Sequence, residues 1–175
     1  MIGFLVAGLQ RRREASQPPF TVLSCDNLPA NGTMLRGIVT EFAVLSDPRL
    51  AAWIEAEVSF PCCMVDRITP ATTKGDLDRI AAAEGQLDLA AVVHEPFQQW
   101  VIEDDFPSGR PDWAVAGAQF VSDVERHELM KLRCLNGTHS TLAYLGYLAG
   151  HETISDAVAE PAFSALCRRL WRDEI

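Results

Sequence analysis

The chain has 175 residues, 48% hydrophobic and 22% charged, which suits one ordinary domain or slightly more and excludes a mainly disordered polypeptide. A net charge of -9, from 15 Lys and Arg against 24 Asp and Glu, excludes broad nucleic-acid binding, because phosphate neutralisation needs a basic surface. A nucleotide cofactor held by backbone amides stays open. No apolar run approaches the ~20 residues that span a bilayer, so no membrane association is expected. Arg11, Arg12 and Arg13 follow the first apolar stretch rather than precede it, the wrong order for a secretory signal.

Residues 1 to 15 read as an amphipathic helix with a basic last turn, stopped by Pro18 and Pro19. Phe20 to Cys25 is short and β-branched, as a buried strand would be. Asn31 then reads as the N-cap of a helix with Leu35, Ile38, Val39, Phe42 and Ala43 on one face. Asp47-Pro48 opens another helix, with Leu50, Trp53 and Ile54 on its apolar side. Val58 to Val65 reads as a second strand, interrupted at Pro61, with Asp66 and Arg67 at its carboxyl end. Thr73 and Asp76 form a capping pair before a short helix, and strands are expected at Ala90–Val93 and Gln99–Glu103. A loop covers Asp104 to Asp112; from Val121 the pattern turns helical to about Leu148, then again from near Ser155 towards Trp171. An α/β region therefore passes into an α-helical one near residue 120.

Five cysteines, Cys25, Cys62, Cys63, Cys134 and Cys167, form no disulfide framework and imply a reducing, cytoplasmic location. The Asn-Gly-Thr tripeptides at Asn31 and Asn136 read as turn or cap sequences rather than glycosylation sites. Cys62, Cys63, Cys134, His94 and His139 show no ligand spacing for zinc, so no metal is expected.

The most informative stretch runs from Glu128 to His139. On an α-helix at roughly 100° per residue, Glu128, Lys131, Asn136 and His139 share an arc of about 140°, together with Leu132 and Leu135. Polar groups among leucines on a core-facing arc must be paired or functional. Burial there would disfavour the charged lysine and suit it to general-base work, with Glu128 opposing that effect. The alternative is a surface Glu128–Lys131 pair with a capping Asn136 and a core His139.

The segment Lys131-Leu132-Arg133, Leu135-Asn136-Gly137, His139-Ser140 resembles the signature of the mannitol dehydrogenase family, polyol-specific long-chain secondary alcohol dehydrogenases of the mannitol 2-dehydrogenase and fructuronate reductase type. Ser24-Cys25-Asp26-Asn27-Leu28 with Asn31-Gly32, Met64 to Pro70, and Trp100 to Asp104 recur in the family in the same order. Cys62-Cys63 departs from the commoner pair of small polar residues before the Met-Val-Asp motif. The resemblance implies a Rossmann-like dinucleotide-binding domain ending in residues 1–119, joined to the start of an α-helical substrate domain in residues 120–175. It implies NAD-dependent interconversion of a polyol and its ketose without metal. Lys131 would be the general base, with Asn27 and Asn136 as donors to the reacting oxygen. His139 would orient the substrate, Asp66 would bind another hydroxyl, and Glu128 would relay the proton.

No Gly-x-Gly occurs, although a dinucleotide site needs a glycine turn for the pyrophosphate, so no cofactor-binding residue is assigned. The expectation is an internal fragment, with a nucleotide-binding segment before residue 1. Two other readings stand beside the polyol enzyme. One is a sugar-acid reductase of the fructuronate type, distinguished by a cation meeting a carboxylate, a choice that Arg67 and Arg133 do not decide. The other is a catalytically silent remnant.

Overall fold

The apolar opening stretch folds as helix α1 (Ile2–Glu14), which buries Val6 and Leu9 and ends on Arg11, Arg12 and Arg13, cations that complement the negative end of its dipole. The computed structural model describes residues 1–175 and divides into two compact units, Met1–Val124 and Glu125–Ile175. No helix is long and apolar enough to cross a membrane.

In the first unit, α2 (Asn31–Val44) and α3 (Pro48–Glu57) pack with α1 around Leu9, Val39, Ala43, Leu50 and Ile54. Pro48 occupies the first position of α3, where its missing N–H costs nothing, and the Asp47 carboxylate accepts from Arg49 N at 2.9 Å. The expected apolar face of α2 is only partly buried: Val39 and Ala43 are enclosed, whereas Ile38 and Phe42 are 45% and 42% exposed.

Segment 20–25 is extended but is not a strand. Val22 N donates to Ser59 O at 3.0 Å, and the next rung of a parallel pairing would need an N–H from residue 61, which is proline. For the same reason the strand expected over 58–65 shrinks to β1 (Cys63–Asp66).

Beyond it, Thr73 and Asp76 form the expected capping box at α4 (Lys74–Glu84). Residues 90–93 are irregular, correcting the strand expected there; Ala90 N is instead taken by the Asp88 carboxylate at 2.8 Å, a local turn that competes with pairing. β2 (Gln99–Glu103) runs antiparallel to β1, matching Asp66 with Gln99, and parallel to β3 (Ala118–Val121), matching Val101 with Gln119. β3 replaces the beginning of the helical region expected from Val121, since its apolar residues pair in the sheet.

The second unit is helical: α5 (Glu125–Met130), a π-helical turn (Lys131–Asn136) and α6 (Gly137–Leu148) form one rod. The single helix expected from Ser155 is two, α7 (Ile154–Ala159) and α8 (Pro161–Asp173). Pro161 forces Glu160 into an extended conformation at the break. Leu142, Ala157 and Cys167 make its core, with Phe163 against them. α6 and α7 meet at Gly146, where an added Cβ would lie 2.8 Å from Ala157 Cβ.

Candidate active site

The loop carrying Asn27 follows the extended segment and is anchored by Asn31. That residue is 2% exposed and begins α2, but it does not cap it. The N-cap is Ala30, in the left-handed region at φ 47°. The Asn31 side chain instead spans two pieces of backbone: Nδ2 donates to Asp26 O at 3.0 Å and Cys63 O at 2.8 Å, while Oδ1 accepts from Cys63 N at 2.9 Å. This amide ties the Asp26–Asn27 turn to the start of β1, the strand that ends in Asp66. Cys63 N, Cys63 O and Asp26 O thus find their partner in the buried amide. Gly32 completes the close approach, because a Cβ there would meet Phe60 O at 2.4 Å and Pro61 O at 2.6 Å.

Two thiols belong to this anchor. Cys63 Sγ donates to Ser24 O at 2.9 Å and lies 3.7 Å from Asn31 Nδ2. The Cys63 side chain lowers the Cys25 thiol to about 7, against partial burial and the Asp26 carboxylate, which raise it. The same contact, with burial, pushes Cys63 upward. Cys25 is exposed and Cys63 buried.

Asp66 is half-buried at the end of β1, and Asn27 is exposed on its loop. The neighbouring Arg67 is committed locally: Nε donates to Phe97 O at 3.2 Å, Nη2 to Gln98 Oε1, and Nη1 lies 3.4 Å from His94 Nε2. Its guanidinium thereby holds the 94–98 loop against the end of β1.

Glu128, Lys131, Asn136 and His139 all lie on the rod of the second unit, and the turn between Lys131 and Asn136 is not α-helical. Gly137 N bonds to Leu132 O, five residues back. Gly137 itself keeps helical angles, φ -61° and ψ -41°, so it does not interrupt the rod. A π-helix turns by roughly 82° per residue, so Lys131 and Asn136 are separated by about 50° around the axis instead of the roughly 140° of an α-helix. The arc holding all four polar residues narrows from about 140° to about 70°. Thr138 Oγ1 supports this turn, donating to Cys134 O while accepting from Trp171 Nε1 at 2.7 Å.

The arc is not core-facing, a second correction to the helical wheel. Leu132 is 51% exposed, Asn136 is exposed, and Glu128, Lys131 and His139 are half-buried. α5 and the π turn bury no residue; the rod turns inward only at Leu142 and Gly146. Asn27 and Asp66 belong to the first unit and the other four candidates to the second. Sequence reasoning missed the anchoring amide of Asn31 and the loop clamp of Arg67, although both residues stand inside the quoted motifs. No group of three or more His, Cys, Asp or Glu side chains is arranged to hold a metal ion.

A family profile described as the mannitol dehydrogenase Rossmann domain matches residues 1–115, and one described as the mannitol dehydrogenase C-terminal domain matches residues 123–175. The chain is 56% identical over 173 residues to D-mannonate oxidoreductase of Escherichia coli K12, covering 99% of this chain and 36% of that protein. It is 46% identical over 176 residues to mannitol 2-dehydrogenase of Aspergillus fumigatus, covering 99% and 35%. Among solved structures, substrate-free D-sorbitol dehydrogenase superposes with a TM-score of 0.92 at 40% identity, over 98% of this chain and 36% of that one. The ternary complex of Pseudomonas fluorescens mannitol 2-dehydrogenase with NAD and D-mannitol superposes with a TM-score of 0.83 at 44% identity, over 100% and 36%. The chain thus spans about a third of the length of the curated relatives it matches.

Proposed function

The chain belongs to the mannitol dehydrogenase family, and from that premise we propose that it supplies the alcohol-binding and proton-handling residues of an NAD-dependent oxidoreductase interconverting a sugar alcohol and its ketose. Lys131, as the free amine, takes the proton of the reacting secondary hydroxyl. Asn27 and Asn136 donate to the same oxygen and stabilise its alkoxide character, as the donors of an oxyanion hole do. His139 orients that hydroxyl, Asp66 accepts from a second one, and Glu128 passes the proton from Lys131 to water. In ketose reduction each transfer runs backwards. Activity requires no metal, because an amine and two amides supply the polarisation that a Lewis acid otherwise would.

Residues 1–175 suit the substrate end of this chemistry and not the dinucleotide pyrophosphate. There is no Gly-x-Gly turn, and the glycine at the start of α2 faces the Phe60 and Pro61 carbonyls rather than an open anion cradle. NAD, when bound, supplies the hydride acceptor. The observation carrying the proposal is the π turn, which brings Lys131 and Asn136 towards one side of their rod. π turns are rare and recur at functional sites.

A sugar acid is the second reading, favoured by the higher identity to D-mannonate oxidoreductase. Arg67 is committed to its loop and does not supply the carboxylate partner that this reading needs. Comparing kcat/KM for mannitol and mannonate separates the two. In the complete protein carrying this chain, Lys131→Ala is expected to lower kcat by about 10² to 10⁴-fold, with NAD affinity unchanged and partial rescue by primary amines. An unchanged kcat would remove Lys131 from the mechanism.

A further inference from the structure

Strand β1 is an edge strand, paired on one side only by β2, and the match of Asp66 with Gln99 is its last rung. Carried further, the register would match Arg67 with Gln98 and Ile68 with Phe97, but both strands end before that point. Side chains bridge the interval instead. Arg67 Nε donates to Phe97 O at 3.2 Å, Nη2 donates to Gln98 Oε1, and Nη1 lies 3.4 Å from His94 Nε2. From the opposite side, Glu95 Oε1 accepts from Ile68 N at 2.7 Å, while Glu95 N donates to Ile68 O at 3.0 Å. Gln98 Nε2 in turn donates to Ala116 O at 3.4 Å, two residues before β3.

The guanidinium is therefore directed at the 94–98 loop although a carboxylate is its chain neighbour. Arg67 and Asp66 form no ion pair, which leaves the Asp66 oxygens open to a hydroxyl. Three nitrogens of one rigid plane reach three residues of one loop, a geometry that the single ammonium of a lysine does not reproduce.

Resting on the role proposed above for Asp66, we propose that Arg67 is a positioning residue for that carboxylate. The clamp fixes the chain on both sides of the Asp66–Gln99 rung, and so holds Asp66 where the second hydroxyl of the polyol meets it. Without the clamp, Asp66 would stand at the loose end of a four-residue edge strand. A hydrogen bond between a hydroxyl and a carboxylate, about 2.7 Å long, does not survive a displacement of about 1 Å. Arg67 thus acts through Asp66 on substrate binding, and not on proton transfer at Lys131.

The test uses the complete protein carrying this chain, with whichever of mannitol and mannonate gives the higher kcat/KM. Arg67→Lys, which keeps the charge and loses the fork, should raise KM about 10-fold with kcat and the Kd for NAD unchanged. Gln98→Ala removes one acceptor at an exposed position and should give a smaller rise of the same kind. Asp66→Ala should raise KM about 10 to 100-fold through loss of a charged hydrogen bond. The double variant Arg67→Lys/Asp66→Ala should match Asp66→Ala alone, since the clamp acts through that carboxylate. Amide exchange at Ile68 and Glu95 should quicken in Arg67→Lys while the circular dichroism stays the same. A KM rise in Asp66→Ala without one in Arg67→Lys would overturn the inference and leave the Asp66 role standing. No rise in Asp66→Ala would remove that role, and the inference with it. Additive effects in the double variant, or a fall in kcat at unchanged KM in Arg67→Lys, would show that Arg67 does something other than place Asp66, and would equally overturn it.

Discussion

The two units hold their candidate residues by opposite means. In the first, Asn27 and Asp66 sit at the ends of backbone segments fixed from a distance: one buried amide and one glycine lock the α2 start to β1, beside a ten-residue apolar cluster. In the second, Glu128, Lys131, Asn136 and His139 are ordered along one rod, and a core of three buried residues supports the whole unit. Tertiary packing sets the first arrangement, and helical geometry sets the second. A loss of packing should therefore displace the candidate residues of the first unit, and a change of helical phase those of the second.

The largest expected effect tests the thin core. Leu142→Ala removes the largest of its three buried side chains and should cost about 3 kcal/mol, the usual range for an enclosed leucine. Hydrogen exchange should rise across 125–175 and remain slow at Leu9, Val39 and Ile54. Equal loss of protection in both units would break the comparison. Gly32→Ala comes next, at about 2 to 3 kcal/mol, because the new methyl meets two carbonyl oxygens that cannot turn aside. Urea unfolding followed at Trp53 should register it, and an unchanged midpoint would show that α2 is not seated as described.

Acid is the mildest probe. The carboxyls of Asp76, Asp47 and Asp104 are all held below the ordinary aspartate range: Asp76 by Thr73, Asp47 by Arg49 N, and Asp104 by Arg110. Groups lowered by folding contribute stability that is present above the unfolded value and disappears as pH falls through the folded one. The first unit should therefore hold its melting temperature from pH 7 to about 5 and lose it progressively below about pH 4. Thr73→Ala should cost about 1 kcal/mol at neutral pH and flatten that acid limb. An unaltered limb would exclude the α4 cap as its source.

How much of this was legible in the sequence follows the same division. Signals that act within a few residues were readable: the proline start of α3, the Thr73–Asp76 box, the helix ending on Arg11 to Arg13 and the strand at Gln99–Glu103. Segment 20–25 looked like a strand because its own side chains suit one, but the missing N–H belongs to Pro61, some forty residues away. Asn31 looked like a cap for the same reason, and its true partners lie on β1. Pro161 was a local signal, and the continuous helix drawn through it ignored the restriction that proline puts on Glu160. The motif residues were legible by resemblance, but no propensity marks the π turn, whose hydrogen bonds decide which way Asn136 points.

A π turn is equivalent to one residue inserted into an α-helix. Counting round the axis, Glu128 and His139 stand about 70° apart with the π turn, and a rod one residue shorter and wholly α-helical would hold them about 80° apart. The insertion is therefore nearly silent outside its own turn, and α6 still delivers Leu142 to its core. Its effect is confined to the interval, where Lys131 and Asn136 are five residues apart yet stay on the same side of the rod with neither flank rotated. Removing a single residue between Lys131 and Asn136 would leave a regular α-helix in which the two polar groups stand four residues and about 40° apart.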